Sequence, residues 1–229
     1  MRLAIIPARG GSKRIPRKNI KSFCGKPMIA YSIEAAIESR IFDKIVVSTD
    51  DEEIAKIAKN HGAIVPFIRP KELSDDHTAT IPVIAHAIHA TCKDIEDIEA
   101  VCCIYATAPF VQPRYIKEGY EKLIETQSLY AFSATSFPFP IQRAIRLTKE
   151  GKVEMFSPEN FATRSQDLEE AYHDAGQFYW GTPQAWCERE IIFAPHSTAV
   201  LLPRHLVQDI DTPEDWIRAE LMYKAFIRS

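Results

Sequence analysis

The residues best suited to chemistry follow the first predicted strand, in a glycine-containing loop rich in cations. The apolar run Leu3–Ile6 leads into the sequence Arg-Gly-Gly-Ser-Lys at 9–13, and Lys18 follows. The first 33 residues carry eight Lys or Arg and no Asp or Glu, although the protein has a formal net charge of −3. Glycine lets the backbone approach an anion closely, and its N–H groups can form a nest. The loop predicts a polyphosphate site, and the alternative is a solvated basic surface loop.

A pair of carboxylates near the C-terminal end is the second candidate. If residues 207–211 are extended, Asp209 and Asp211 point the same way. Two carboxylates on one face suit a Mg²⁺ ion that bridges to a nucleotide. The competing interpretation is helix capping, by Asp211 with Glu214 or by Thr212. Capping leaves Asp209 unexplained, so metal binding and capping both stay open.

Two further segments carry side chains that suit a ligand. Arg69 follows the third predicted strand and can contact phosphate, ribose or base, although pairing with Asp75 or Asp76 explains it equally well. Residues 172–181 mix aromatic side chains with Asp, His and Gln. This mixture suits a sugar-like ligand, which offers both apolar faces and hydroxyls. The alternative is an edge strand whose rings fill the core.

Alternating strand-like and helix-like runs must position these groups. Strands are predicted at 2–6, 44–48, 63–68, 100–105, 129–134, 177–180 and 199–202, and helices from Pro27, from about Asp51, around 81–88, over 113–125 and over 213–227. This alternation predicts an α/β fold, a mostly parallel sheet flanked by helices. Ligands of such sheets lie at the carboxyl ends of strands. The basic loop follows the first strand and therefore falls at that edge.

Size and composition predict one domain over residues 1–229, with an irregular stretch at about 136–175 as an insertion or dimerisation arm. A hydrophobic content of 46% and a charged content of 26% are ordinary for a globular protein. No apolar run approaches the roughly 18 residues that span a bilayer, which argues against a membrane partner. Five cysteines without a CxxC pair favour reduced thiols and a cytoplasmic location.

Several function classes are disfavoured by what the basic loop lacks. It is neither a GxxxxGK sequence followed by Ser or Thr nor a GxGxxG fingerprint with its acidic partner. P-loop kinases and NAD(P) dehydrogenases are therefore poor fits. One short basic loop in an acidic protein is also weak support for nucleic-acid binding.

Together these segments resemble the CMP-sialate synthetase (acylneuraminate cytidylyltransferase) family, which activates nine-carbon and eight-carbon keto-sugar acids. The similar segments, in the family's order, are 6–13 with Pro16, Lys18 and Asn19, then 69–76 and 209–212. The Ala-Thr-Ala-Pro sequence at 106–109 and residues 173–181 look like the pseudaminic acid branch. The resemblance covers nearly the whole chain.

The resemblance implies a Rossmann-like nucleotidyltransferase that moves CMP from CTP to a nonulosonic acid and releases pyrophosphate. The anomeric hydroxyl of the sugar would attack the α-phosphate in line, with Mg²⁺ as cofactor. The expected acid is pseudaminic acid, and the alternatives are legionaminic and N-acetylneuraminic acid. An alternative of another class is a non-catalytic nucleotide-binding regulatory protein. The resemblance also implies a homodimer, with the segment at about 136–175 reaching into the partner.

Family roles carry over residue by residue. Lys18 and Arg9 are expected to stabilise charge on the phosphates, and Asp209 and Asp211 to bind Mg²⁺. Asp211 is also expected to assist deprotonation of the sugar hydroxyl. The expected sugar contacts are Asp174 and Gln177. The expected nucleotide-binding residues are Ala8, Arg9, Gly10, Gly11, Ser12, Lys13, Asn19, Arg69, Asp76 and Thr78.

Overall fold

The computed structural model describes residues 1–92 and 94–226. Helices and strands alternate along most of the chain, as the hydrophobic pattern predicts. The strands are β1 (Arg2–Pro7), β2 (Ser22–Phe23), β3 (Lys26–Pro27), β4 (Lys44–Ser48), β5 (Ala100–Ile104), β6 (Tyr130–Ser136), β7 (Ile145–Leu147), β8 (Val153–Met155), β9 (Tyr172–Gly181) and β10 (Ser197–Leu201). The helices are α1 (Met28–Ser39), α2 (Glu52–Asn60), α3 (Thr80–Thr91), α4 (Pro113–Glu125), α5 (Pro183–Glu188) and α6 (Pro213–Phe226).

A six-stranded sheet in the order β10-β6-β9-β5-β1-β4 organises the molecule. Strand β1 pairs in parallel with β4 and β5, and β10 pairs in parallel with β6. Strand β9 lies between β5 and β6 and runs antiparallel to both. The mostly parallel sheet is confirmed. Because β9 is reversed, its first residues lie beside the carboxyl ends of its neighbours, at the same edge as the loop after β1.

Helices cover both faces of this sheet. Alternate residues of β1 point to opposite faces, so that Ala4 and Ile6 join one hydrophobic core while Leu3 and Ile5 join another. Helices α1 and α4 pack on the first face and α3 packs on the second. A strand buried on both faces reads as a continuous apolar run, as β1 does.

A third hydrophobic cluster brings the two ends of the chain together. Ile15 from the loop after β1 and Ile210 from the segment before α6 are both buried in it, beside Phe23 and Trp216. The ring of Phe23 meets that of Trp216 edge to face, with 5.4 Å between centroids. This packing holds residues 207–211 against the basic loop, about 190 residues away in sequence.

The structure differs from the sequence-based prediction in places. The strand predicted at 63–68 is wrong, since only a single parallel bridge from Val46 to Ile64 forms there. Pro66 follows that bridge, and proline cannot donate to a sheet ladder. Pro27 precedes α1 with ψ 139°, so it is not the first helical residue. Helix α6 was predicted over 213–227, and the last of those residues lies outside the described part of the chain.

Residues 137–171 lie outside the main sheet, because β6 extends to Ser136 and β9 begins at Tyr172. This segment contains a small hairpin, formed by β7 and β8 in antiparallel pairing. Many of its apolar side chains are exposed, among them Phe139 and Leu147 at 79% and 71%. Within residues 1–92 and 94–226, no helix is both long and apolar enough to cross a membrane.

Candidate active site

The loop after β1 borders a cleft of about 270 Å³ at the carboxyl ends of β1 and β5. Residues from four distant parts of the sequence meet in this cleft. The predicted site residues that line it are Arg9, Ser12, Lys13, Lys18, Asn19, Arg69, Thr78 and Asp211. Arg14, Thr80 and Tyr105 also line it, although the sequence did not single them out as site residues. Tyr105 follows β5 directly, a position typical of ligand contacts in parallel sheets.

Asp76 neutralises the first part of the basic loop. Its carboxylate lies 2.9 Å from Arg9 Nη1 and also forms an ion pair with Lys13. The hydrogen bond from Lys13 holds the pKa of Asp76 below its usual value. Arg9 Nη1 additionally donates to the carbonyl of Asp75 at 2.5 Å. The segment after Arg69 therefore supplies an anion to both cations.

Asp211 neutralises the second part of the loop. Arg14 Nη2 lies 2.8 Å from Asp211 Oδ2, and Lys18 Nζ lies 3.3 Å from Asp211 Oδ1. Lys18 Nζ also donates to the carbonyl of Ile210 at 2.8 Å. Lys18 is partly buried, so its ammonium group is held in one place at the cleft wall. The basic loop is therefore paired with two carboxylates, Asp76 at its first part and Asp211 at its second.

Hydrogen bonds of Asn19 and Ala8 fix the start of the basic loop. Asn19 is buried, and its amide donates to the carbonyl of Arg9 at 2.9 Å. The N–H of Ala8, also buried, donates to the carbonyl of Ser48 at 2.9 Å, which continues the β1–β4 ladder by one residue. These contacts fix where the loop leaves the sheet.

The two glycines of the loop have different surroundings. Gly10 donates its N–H to Asp50 Oδ1 at 2.9 Å, and a Cβ added to Gly10 would lie 2.8 Å from Asp51 Oδ2. A Cβ added to Gly11 would meet nothing within 4 Å. Glycine is required at position 10 because the loop approaches the start of α2 closely there. A side chain at position 11 would point into open space.

Gly10→Ala is expected to displace the loop and lower stability. Asp51 cannot move aside freely, because Arg17 and the N–H of Ile54 hold its carboxylate. We expect the free energy of unfolding to fall by about 1–3 kcal/mol, typical of an overpacked site. Chemical denaturation measures this change. Gly11→Ala is the matched control for stability, and equal losses in the two variants would contradict the close-approach explanation.

Arg69 is a buried cation with unmet donors. Its side chain is 4% exposed, and its Nε and Nη2 atoms have no hydrogen-bond partner among residues 1–92 and 94–226. The nearest carboxylate oxygen, on Asp50, is 3.9 Å from Nη2. Burial lowers the pKa of Arg69, and the positive charge of Arg9 adds to this effect. Buried polar groups are normally hydrogen-bonded, so these free donors beside the cleft indicate a site for an acceptor-rich ligand.

A second cleft, of about 540 Å³, adjoins the first and shares Tyr105 with it. Asp174 and Asp209 line the second cleft together with Arg204 and Arg218. The sequence had not singled out either arginine, because neither belongs to a recognisable motif. In the described part of the chain, no carboxylate lies within 4.0 Å of a cationic nitrogen of Arg204 or Arg218.

Asp174 is fixed by its own strand. One carboxylate oxygen accepts the N–H of Gly176 at 2.9 Å, and the other accepts the hydroxyl of Tyr179. The hydroxyl of Tyr105 lies 3.1 Å from Thr80 Oγ1, and the ring of Tyr105 packs against that of Tyr179, with 5.1 Å between centroids. A series of side-chain contacts therefore runs from the first cleft to Asp174 in the second.

Gln177 occupies a different position from Asp174. Its side chain is buried, and its amide donates to the carbonyl of Leu206 at 2.6 Å. It does not line either of the two clefts. The buried amide ties β9 to the chain just before residues 207–211. Its role as a sugar contact stays a prediction.

The carboxylates proposed for Mg²⁺ lie outside the named helices and strands, in a segment that begins with Val207 in an extended conformation. Asp211 faces the first cleft and Asp209 the second. Partial burial raises the pKa of Asp209, and the negative charge of Asp211 raises it further. Thr212 and Asp215 cap α6 reciprocally, with Thr212 N donating to Asp215 Oδ2 at 2.8 Å. Asp211 is therefore free of the capping role considered for it.

These two residues fit the usual donor set for Mg²⁺. Among the described residues, no cluster of three or more His, Cys, Asp or Glu side chains can hold a metal. Mg²⁺ characteristically takes one or two carboxylates and completes its shell with phosphate oxygens and water. Asp209 and Asp211, beside a cleft lined by cations, match that pattern without a third protein ligand.

A parallel-sheet fold with a cationic cleft at the carboxyl ends of its strands is the architecture of a nucleotidyltransferase. The chain belongs to the cytidylyltransferase family, whose sequence profile matches residues 3–206. It is 53% identical to the pseudaminic acid cytidylyltransferase of Campylobacter jejuni subsp. jejuni serotype O:23/36 (strain 81-176), over 97% of this chain and 96% of that protein. It is 32% identical to the CMP-N,N'-diacetyllegionaminic acid synthase of Legionella pneumophila, over 95% and 94% of the two chains.

A solved structure shows the same fold. CMP:2-keto-3-deoxy-manno-octonic acid synthetase in complex with CTP superposes with a TM-score of 0.70 at 15% identity, covering 98% of each chain. At that identity the match supports the fold and leaves the residue roles to be argued from this chain. The Rossmann-like nucleotidyltransferase fold implied by the sequence is confirmed.

Proposed function

We propose that the protein transfers CMP from CTP to pseudaminic acid and releases pyrophosphate. Arg9, Lys13, Lys18 and Arg69 converge on one cleft, and two buried nitrogens of Arg69 lack a hydrogen bond among the described residues; this arrangement carries the proposal of a nucleotide triphosphate site. The choice of acid rests on the 53% identity to the Campylobacter enzyme, against 32% for the legionaminic acid synthase. Legionaminic and N-acetylneuraminic acid are the alternative acceptors.

Arg9, Ser12 and Lys13 bind the triphosphate in this proposal. Asp76 holds the two cations in the unliganded cleft, and the phosphates replace it as their partner. The N–H of Gly10 already donates to Asp50 Oδ1, so in this proposal the turn offers the N–H of Gly11 to the phosphates. Lys18 lies near the α-phosphate and stabilises the charge that develops there. Such preorganised donors are the main source of catalysis in electrostatically driven transfers.

Cytosine and ribose bind towards the other end of the cleft. Arg69 offers its free N–H groups, and Thr78 and Asn19 lie beside it on the lining. Hydrogen-bond acceptors of the nucleotide satisfy the buried donors of Arg69. The cost of burying these donors is then offset on binding, which contributes to affinity. The segment that carries Asp76 and Thr78 then closes the nucleotide side of the cleft.

Asp209 and Asp211 would hold Mg²⁺, which when bound supplies charge neutralisation to the triphosphate oxygens. The sugar acid occupies the second cleft, beside Asp174, so that its anomeric hydroxyl faces the α-phosphate across Tyr105. The hydroxyl oxygen forms the new bond to the α-phosphorus, and the bond to the departing pyrophosphate breaks. Asp211 accepts the hydroxyl proton. Holding the two reactants in line supplies much of the rate enhancement.

Arg204 and Arg218 are proposed to bind the carboxylate of the sugar acid, since they line the second cleft and neither has a described carboxylate within 4.0 Å. Arg204→Gln and Arg218→Gln are each expected to raise the KM for the acid by about tenfold, because a hydrogen bond to a charged group contributes roughly 1.5–3 kcal/mol. Steady-state kinetics with each substrate varied separately measures this. The KM for CTP should stay unchanged. Arg114→Gln, on the surface of α4, is the control; a rise in both KM values would contradict the assignment.

Pyrophosphate release from CTP and Mg²⁺ tests the function, with pseudaminic, legionaminic, N-acetylneuraminic and Kdo acids as acceptors. A reaction without acid controls for CTP hydrolysis. Turnover with pseudaminic acid alone supports the proposal. Turnover with another acid overturns the proposed acceptor. CTP binding without turnover on any acid favours the non-catalytic nucleotide-binding alternative.

A homodimer is the proposed assembly, with residues 137–171 of a single 1–229 domain reaching the partner. The exposed apolar side chains of this segment, such as Val153, Phe156 and Phe161 at 61–74%, are the supporting observation. Light scattering should give twice the 26.0 kDa chain mass, and a monomer would contradict the proposal. A cytoplasmic location is also proposed, because the five cysteines are free thiols.

A further inference from the structure

The cations of the basic loop divide into two sets. Arg9, Lys13 and Lys18 line the first cleft. Arg17 does not line it, although it is the immediate neighbour of Lys18 in the sequence. Its side chain points to the start of α2 instead, where it pairs with Asp51 and Glu53. Among the cations at 9–18, Arg17 therefore has no direct part in the nucleotide site described above.

The contact between Arg17 and α2 has a defined geometry. Arg17 Nη1 lies 2.5 Å from Asp51 Oδ2, and Nη2 lies 3.0 Å from Asp51 Oδ1. Nη2 also lies 2.5 Å from Glu53 Oε2. A bidentate arginine–carboxylate pair fixes orientation as well as distance. The hydrogen bond from Arg17 holds the pKa of Asp51 below its usual value.

Further contacts hold the side chain of Asp51 in place. It caps α2 by accepting the N–H of Ile54 at 2.9 Å, and it lies in the close contact with Gly10. The adjacent Asp50 accepts the N–H of Gly10 at 2.9 Å. The β4–α2 junction therefore holds the basic loop at two points, at Gly10 near its start and at Arg17 near its end.

Arg17 also has an unusual backbone conformation. Its φ is +57°, in the left-handed region that ordinary side chains rarely adopt. The N–H groups of Ile20 and Lys21 both donate to its carbonyl, so the chain turns there. The turn directs Arg17 towards α2 and Lys18 towards the cleft.

We propose that Arg17 is a positioning residue for the nucleotide site, acting through a fixed ion pair with Asp51. The pair holds the backbone of the loop, so that Lys18 and Arg9 stay beside the cleft where the triphosphate would bind. This inference rests on the proposed function, because it assumes that the first cleft binds CTP. Unlike the ion pairs of Asp76 and Asp211, the Arg17 pair lies outside the cleft and stays formed when nucleotide binds.

Arg17→Asn tests the proposal, since asparagine tolerates a positive φ but cannot reach the ion pair. Asp51→Asn removes the charge and keeps a side chain that caps a helix equally well. Arg40→Asn is the control: Arg40 also has φ +57°, ends α1, and makes no side-chain bond in the described structure. CTP affinity is measured by calorimetry, kcat and KM by pyrophosphate release, and stability by thermal unfolding.

We expect Arg17→Asn and Asp51→Asn each to lower kcat/KM for CTP by about 10- to 100-fold, the scale for a catalytic group displaced by 1 Å. The double variant should be no worse than either single variant, since both remove the same contact. Arg17→Lys should recover part of the loss. The thermal midpoint should fall by less than about 4 °C, because half-exposed ion pairs contribute little stability.

Equal kcat/KM values in Arg17→Asn and Arg40→Asn would overturn the inference. Additive losses in the double variant would overturn it as well, since the two residues would then act separately. Failure of the proposed function gives a different result, in which the unmodified protein releases no pyrophosphate with any acid. The calorimetric affinity for CTP still tests Arg17 in that case: unchanged affinity in both Asn variants would overturn its positioning role.

Discussion

Lys18→Ala is expected to lower kcat by about 10²–10³-fold, the scale for the loss of one preorganised donor to a transition-state anion. Lys18 is the cleft cation most firmly placed by the protein, with Nζ 2.8 Å from the carbonyl of Ile210 and 3.3 Å from Asp211 Oδ1. If it stabilises charge only in the transition state, the KM for CTP should change much less than kcat. Single-turnover and steady-state pyrophosphate release measure both.

The same variant should remain folded. The loop contributes few core residues, and losing the Lys18 bond to Ile210 costs about 1–3 kcal/mol of unfolding free energy. Lys21→Ala is the matched control, because Lys21 lies over the Trp216 ring, 4.5 Å from its centroid, and does not line the cleft. Unchanged kcat in Lys18→Ala would refute the assignment, and so would a loss of kcat that is matched by Lys21→Ala.

Arg69→Met is expected to weaken CTP binding by about 10- to 100-fold without lowering stability. Hydrogen bonds to charged groups contribute roughly 1.5–3 kcal/mol, which predicts the loss of affinity. Within the described residues, however, two buried donors of Arg69 have no hydrogen-bond partner, and the carboxylate of Asp50 is 3.9 Å away. Replacing such a poorly paired buried charge with a hydrophobic side chain is often neutral or stabilising.

The two effects are separated by measuring thermal unfolding with and without CTP. We expect the midpoint of Arg69→Met without CTP to equal or exceed that of the unmodified protein, while the CTP-induced increase largely disappears. Arg40→Met, at the exposed end of α1, is the control and should keep the full CTP-induced increase. A large drop in the midpoint without CTP would show that Arg69 stabilises the fold and would contradict this explanation.

Local patterns identified much of the fold because they report local physics. The continuous apolar run of β1 and the periodic Ile residues of α3 both indicate burial. The spacing of the apolar positions then distinguishes a strand from a helix. The strand predicted at 63–68 does not form, because Pro66 lacks the N–H that a sheet ladder requires. This obstacle is visible in the sequence itself. Strand β9 extends five residues before its predicted start because β6 pairs with it there.

The sequence by itself determined the chemical composition of the site: a glycine loop with cations, expected at the carboxyl-end edge of the sheet, together with Arg69 and the carboxylates of Asp209 and Asp211. Only the tertiary structure decided how these groups pair. Asp76, Asp211 and Asp51 each neutralise part of the same basic loop, and they come from three distant segments. No local pattern encodes such partners, because long-range contacts depend on how the cores pack. The direction of Arg17, the burial of Gln177 and the place of Tyr105 between the clefts follow from that packing.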